Sequence, residues 1–416
     1  MKESVGNPAK DQIVGIILAG GQGTRLFPLT QTKCKPSVGF GGKFKLIDIP
    51  LSNALNSGIT DLFVISQYFT AQLQEHLSST YHFDILRQNQ IKILAPEDHP
   101  LSHVCFEGSA DAVRKNLEEI LKIPSSYFLI LCGDQVYNID FRKIVQFAQE
   151  KEADLVIASL PVQEKDAKRM GVLKIDETYK ICDFFEKPQN AETLARFTLP
   201  QKTDQFLASM GIYVFKREAL VSLLQEKGDD FGLHLIPLQI KRGKTFTYVY
   251  DGYWVDIGTI GSFHQANLDL LNQASCLDLY DEQHPIYNRF QKLPSPLIKG
   301  THIDKALISE GAVIEASEIH NSVIGLRSVV ERGTKIYNSI LLGNPSYSHQ
   351  SPSHKFSVGK DCVIKDTIID EKVRIGNNVK LINKNKLKQF DGHGIYIRDG
   401  IIIVPAGTEL PNSFEL

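Results

Sequence analysis

Residues 13–26 read Ile13-Val-Gly-Ile-Ile-Leu-Ala-Gly-Gly-Gln-Gly-Thr-Arg-Leu26. The first six are apolar and β-branched enough for a buried strand, and Gly20, Gly21 and Gly23 follow at once. Three glycines in four positions let backbone come close to a ligand, and successive N–H groups there can cup phosphate oxygens. Leu18, Ala19, Gly20, Gly21, Gly23, Thr24 and Arg25 are therefore the candidate phosphate-binding segment. Arg25 brings a planar donor fork suited to phosphate, and Lys35, just before Pro36, offers a second cation. Two familiar phosphate loops fail on spacing. A dinucleotide fingerprint needs glycine where Leu26 stands, and a Walker A loop needs Ser or Thr where Phe44 follows Gly42-Lys43. A tight glycine turn with no ligand is the plainer reading, and the cations that follow argue against it.

Outward from that loop, residues 61–66, 127–132 and 154–159 read as further buried strands, with helix-like stretches over 109–121 and 140–151. In the first stretch Ala110, Val113, Leu117, Ile120 and Leu121 recur at helical spacing. Such alternation predicts an α/β sandwich with a largely parallel sheet over residues 12–275. Residues 276–296 carry three prolines and read as a linker. From 297 to 416 short aliphatic pairs recur at intervals of six: Val330, Ile336 and Leu342, then Val358 and Ile364, then Val373 and Val379. That period suits a parallel β-helix whose triangular coils turn one aliphatic residue inward on each face. A meandering β-sandwich would also give short aliphatic pairs. Residues 344–355 read as a surface loop.

The 416 residues are 42% hydrophobic and 23% charged, with a net charge of −2. This gives no basic field for nucleic acid. The apolar run 13–19 is far short of the roughly 20 residues that span a bilayer, so no membrane partner is expected. The first twelve residues lack a signal peptide's apolar stretch, which predicts a cytoplasmic chain. Six cysteines (34, 105, 132, 182, 276 and 362) form no CxxC pair and read as reduced thiols. Cys34, between Lys33 and Lys35, is the one where neighbouring cations favour a thiolate.

Two aspartates suit a metal. Asp134 ends the apolar run Tyr127–Leu131 in Leu131-Cys-Gly-Asp134, the strand end where open α/β sheets place ligand residues. Asp256 lies in Tyr253-Trp-Val-Asp-Ile-Gly258. Mg²⁺ takes one or two carboxylates and completes its shell with phosphate oxygens and water; either aspartate alone also reads as a turn residue. In Phe184-Phe-Glu-Lys-Pro188, Glu186 can accept from sugar hydroxyls while Lys187 meets a phosphate as a point charge; an exposed ion pair is the competing reading.

LAGGQGTRL, followed by KCKPSVGFGGKFKLIDIPLSNALNSGI, resembles the opening of the ADP-glucose pyrophosphorylases. The first part is shared by sugar nucleotidyltransferases generally, and residues 41–59 are more particular to that branch. The resemblance runs from about 12 to 405. It implies a Rossmann-like, GT-A-like nucleotidyltransferase domain with a mixed, mostly parallel sheet, and a C-terminal left-handed parallel β-helix. It implies that ATP and α-D-glucose 1-phosphate give ADP-glucose and pyrophosphate, with Asp134 and Asp256 holding Mg²⁺ and with Arg25 and Lys35 catalytic. By matching segments, Phe106, Gly171, Glu186, Lys187, Ser209, Tyr213, Asp230 and Trp254 fall on the glucose 1-phosphate side, although Tyr213 also reads as a core aromatic. Relatives bind anionic sugar-phosphate or phosphate effectors between two domains, for which Lys33, Lys43 and Lys45 are candidates; a solvated charged face is the other reading. Relatives are tetramers, so a homotetramer is expected. The chain departs from the pattern at Gln135, where many catalytic members have histidine, at Cys105, at Leu233-His234 and around Ala95-Pro-Glu-Asp98. A UTP- or dTTP-using pyrophosphorylase, a non-catalytic regulatory subunit and a bifunctional acyltransferase are the alternatives.

Overall fold

The computed structural model describes residues 12–81, 90–96, 105–199, 202–272, 277–347 and 356–416. The acidic stretch at 97–98 and Cys276 lie outside these residues. The strand Ile13–Leu18 lies near the middle of a ten-stranded sheet, with Val14, Ile16 and Ile17 fully buried, as an apolar run covered on both faces requires. Tyr127–Cys132 pairs with it on one side and Asp61–Ile65 on the other, both parallel, and Gln90–Leu94 extends the parallel half. The other half is antiparallel around the long strand Lys202–Lys216, which pairs with Tyr127–Cys132, Leu155–Gln163 and Gly171–Ile175. The sheet is thus mixed: one half is all parallel, and the other is antiparallel except where Thr245–Val249 pairs parallel with Leu155–Gln163. The reason is local: Gly171–Ile175 and Ile181–Glu186 are joined by a tight turn in which Asp176 accepts from the Thr178 and Lys180 N–H groups, and so short a connection allows only antiparallel pairing. Two apolar layers cover the two faces of the sheet.

The helix expected over 109–121 is two helices, Ser109–Lys115 and Leu117–Leu121. Asn116 breaks it: its side-chain amide donates back to the Ala112 carbonyl (2.8 Å), a bond that competes with helical pairing. The second predicted helix forms as Phe141–Glu150, capped by Asp140, whose carboxylate accepts from the Arg142 N–H.

Beyond residue 297 the chain winds as a left-handed parallel β-helix. One face stacks Ile314, Val330, Val358 and Ile375; a second stacks Ile319, Ile336, Ile364 and Leu381; a third stacks Ile324, Leu341, Ile369 and Val404. The expected inward row is corrected at Leu342: the inward residue is Leu341, one position earlier. The slip comes from the corner residue Asn338, at φ +46. Asn321 and Asp366 hold the same corner in neighbouring coils, also left-handed, where Asn and Asp are tolerated. Asn321 donates to Asn338 (2.9 Å) and Asn338 to Asp366 (3.2 Å).

Leu342 instead faces the N-terminal domain. With Val323, Ile340, Ile368 and Ile403 it joins Leu26, Val38, Phe40 and Phe263 in one apolar cluster that spans both domains. At its rim Gly42, at φ +79, leaves no room for a side chain: a Cβ there would stand 2.6 Å from Ser309 Oγ. Its carbonyl accepts from the Leu326 N–H. The proline-rich connection is strapped down as well, its Tyr287 N–H donating to Ser52 (2.8 Å).

Candidate active site

The glycine segment leaves the Ile13–Leu18 strand with the Ala19 N–H still bonded to the Ile65 carbonyl. Gly23 is the constrained position, at φ +66 with Thr30 and Lys35 close to where a Cβ would stand; Gly21 has open space there. Leu18, Gly20 and Gly21 line a cavity of about 390 Å³ with Gln67, Phe106 and Ser109. Thr24 and Arg25 line another, of about 560 Å³, whose far wall is Gln389, Arg398 and Asp399 of the β-helix.

Asp134 follows the Tyr127–Cys132 strand through Gly133, whose N–H donates to the Leu18 carbonyl. The strand Trp254–Asp256 runs antiparallel to Gln135–Tyr137 and sets Asp256 opposite Gln135, so the two aspartates become neighbours. Lys35 Nζ donates to Asp134 Oδ2 at 2.5 Å. Burial pushes the Asp256 carboxyl up and the nearby Asp134 charge adds to this, while Lys35, Arg25 and Arg169 pull the other way. The two carboxylates are hard oxygen donors of the kind a divalent cation takes, and Lys35 occupies Asp134.

Among the residues expected to face a sugar phosphate, Glu186 ends the Ile181–Glu186 strand and lies against Gly171 and Gly232, where a Cβ would come within 2.7 and 2.6 Å of Glu186 Oε2. Lys187 is exposed, at φ +51, and its ammonium is 3.0 Å from Glu186 Oε1. Asp230 is tied by Ser109 Oγ–H (3.0 Å) and the Leu233 N–H (3.0 Å). Ser209 accepts from the Gly211 N–H at the bend of the Lys202–Lys216 strand, and Tyr213 rests on Phe215 and Phe231. Burial, reinforced by Cys132, Glu186 and Asp230, raises the Tyr213 phenol far above its ordinary range, so it stays protonated. Trp254 and Asp256 line a third cavity, of about 440 Å³, with Arg169.

Phe106 stands in the wall of the glycine-loop cavity, its N–H donating to Gln67 (2.7 Å). Two expectations are corrected. Cys34 is buried with its sulfur 3.1 Å from Ser37 Oγ, and burial raises the thiol's pKa against weaker opposing effects of Ser37 and Lys45. It is not an activated thiolate. Lys33, Lys43 and Lys45 are not an open basic run either. Lys33 is 6% exposed and meets Asp370 (3.0 Å) and Glu371 (3.4 Å); Lys45 meets Glu371 (2.9 Å) and Lys43 meets Glu310 (3.6 Å). All three carboxylates belong to the β-helix. Burial pushes the Glu371 carboxyl up, but Lys45 and Lys33 outweigh it and hold it at about 2.

Sequence reasoning missed Gln67, Ser109 and Arg169. Gln67 donates to the Gly20 carbonyl (3.0 Å) as well as accepting from Phe106, and its place just past the end of the Asp61–Ile65 strand was the available signal. Among the described residues no helix is long and apolar enough to cross a membrane. Residues 14–273 match the family model described as Nucleotidyl transferase, and residues 291–414 match that described as GLGC left-handed parallel beta-helix domain.

Proposed function

We propose a reaction for this chain from one premise: it belongs to the nucleotidyl transferase family and has the two-domain architecture of the ADP-glucose pyrophosphorylases. It transfers the adenylyl group of ATP to α-D-glucose 1-phosphate, giving ADP-glucose and pyrophosphate. The observation that carries this is the meeting of Asp134 and Asp256 at the strand ends, with Arg25 from the glycine-rich segment and Lys35 from just beyond it beside them.

A phosphate oxygen of glucose 1-phosphate forms the new bond to the α-phosphorus while the bond to the bridging oxygen of pyrophosphate breaks. That phosphate is already ionised, so no general base is needed; positioning and charge do the rest. Backbone N–H groups from Gly20 to Thr24, with Arg25, bind the triphosphate, and Arg25 and Lys35 balance charge on the departing pyrophosphate. Lys187 holds the sugar phosphate and Glu186 accepts from glucose hydroxyls. Asp134 and Asp256 are the residues that hold Mg²⁺, which when bound supplies positive charge to the phosphate oxygens. The product serves glycogen or starch synthesis in the cytoplasm, and the working unit is a homotetramer under allosteric control. An anionic effector that engages Lys43 or Lys45 must compete with Glu310 and Glu371.

Pyrophosphate release from glucose 1-phosphate with ATP, UTP, dTTP and GTP in turn tests the reading. Turnover is expected with ATP above the rest. A preference for UTP or dTTP would move the chain to another pyrophosphorylase, and no turnover with any would make it a binding subunit.

A further inference from the structure

Gln135 is buried beside the candidate metal carboxylate, yet its side chain is aimed the other way. Its Nε2 donates to the Met210 carbonyl at 2.7 Å, and its Oε1 accepts from the Trp254 indole N–H at 3.3 Å. Both partners matter to the sugar side. Met210 lies where the register of the Lys202–Lys216 strand shifts between Ser209 and Tyr213. Gly211, at φ +71, makes the bend and lies against Gln135 Nε2 and Cys132 Sγ. Trp254 is two residues from Asp256 and lines the cavity that Asp256 and Arg169 share. One amide therefore fixes the Ser209–Tyr213 bend and the Trp254 ring together, from a position whose backbone continues directly from Asp134.

We propose that Gln135 is a positioning residue for the sugar-phosphate half of the site, setting Trp254 and the Ser209–Gly211 bend relative to the metal carboxylates. This rests on the reading above that those residues face glucose 1-phosphate. The position requires one donor, toward Met210, and one acceptor, toward Trp254. An amide supplies both, and so does a neutral imidazole; an imidazolium supplies donors only. The side chain's task is pairing, and the chemistry at residue 135 is the geometry of its two partners.

Trp254 is the single tryptophan of the sequence, so intrinsic fluorescence reads its surroundings directly, with or without turnover. Gln135→Met keeps the side chain's length and removes both hydrogen bonds. In the full-length protein it should raise KM for glucose 1-phosphate about ten-fold, the order expected when two ordinary hydrogen bonds stop holding a site. KM for ATP should stay within about two-fold, and Trp254 emission should shift in the ligand-free protein. Gln135→His, assayed at pH 8, should keep both emission and KM near the wild-type values. Unchanged emission and glucose 1-phosphate KM in Gln135→Met, or equal rises in both KM values, would overturn the proposal. If that variant does not fold, Gln135→Ala decides by the same two readouts: unchanged emission and unchanged glucose 1-phosphate KM sink the idea. A wild-type protein that releases no pyrophosphate with glucose 1-phosphate would refute the proposed reaction instead, while the ligand-free emission shift would still report the Gln135–Trp254 contact.

Discussion

Asp256 is a carboxylate held where water is scarce and a second carboxylate is near, so its proton is lost at higher pH than an exposed aspartate's. The sign follows. Above that raised pKa the pair carries a charge the metal-free fold does not welcome, and below it the pair loses the charge a cation needs. Activity at limiting Mg²⁺ should therefore fall on the acid side from a pH above the usual carboxylate range. Lys35→Met, which removes a charge that lowers the Asp256 pKa, should move that limb higher still. Asp134→Asn should cost at least about two orders of magnitude in kcat; near-normal turnover in a pyrophosphate assay would remove Asp134 from the chemistry. These carboxylates were legible in the sequence because strand ends and glycines announce them. The pairing roles of Gln135 and Gln67 were not, because their partners, mostly backbone atoms, lie on segments far away in the chain. Cys34 misled for a related reason: its two lysine neighbours pair elsewhere, Lys33 in the β-helix and Lys35 on Asp134, and burial decides the thiol's shift.

Among the elements, the β-helix shows how far periodicity carries. Spacing alone identified inward positions such as Val330 and Ile336, because the coil's faces impose it. It failed at Leu342, because the phase is reset by a left-handed corner that aliphatic spacing does not encode. The corner had its own signal in the repeated Asn-Ser and Asp-Thr pairs, Asn321-Ser322, Asn338-Ser339 and Asp366-Thr367. Asn338→Ala should destabilise the protein by about 2 kcal/mol, combining left-handed strain with the loss of its bonds to Asn321 and Asp366. Asn338→Gly loses the same bonds without the strain and should cost less. Denaturant unfolding of the two variants side by side checks the order; an alanine variant as stable as the glycine one would mean that the corner bears no strain. In the catalytic domain the strands and the helix 141–150 were legible for the same reason of period. The break at Asn116 was not, since a single side-chain amide decides it.

For the molecule as a whole, the apolar cluster between the domains is decisive. Val323, Ile340, Ile368 and Ile403 are fully buried on the β-helix side, against Val38, Phe40 and Phe263 on the other. Truncation before Pro294 would uncover that face. At about 25 cal/mol per Å² of apolar surface returned to water, several such side chains amount to a large part of a protein's net stability. The shortened chain should aggregate or lose its assembly state and most of its activity. Sedimentation with an activity assay alongside tests this, and a fully active monomer at normal yield would show the tail to be dispensable. The change of texture near residue 275 was legible, but the seam was not, because Leu342 and Ile340 look in sequence like any other β-helix aliphatics.

Gly42 carries a consequence for the chain's ancestry. Its backbone is pressed so closely against Ser309 and Leu326 that neither half can drift at this spot without an answering change in the other. The proline-rich stretch looks like a natural place to splice one gene to another. A tail borrowed from a distant relative would arrive with the wrong relief for Gly42 and Phe40. The two halves are therefore expected to have been inherited together, and a library of exchanged tails should yield working enzymes only where residues 38–45 travel with the tail.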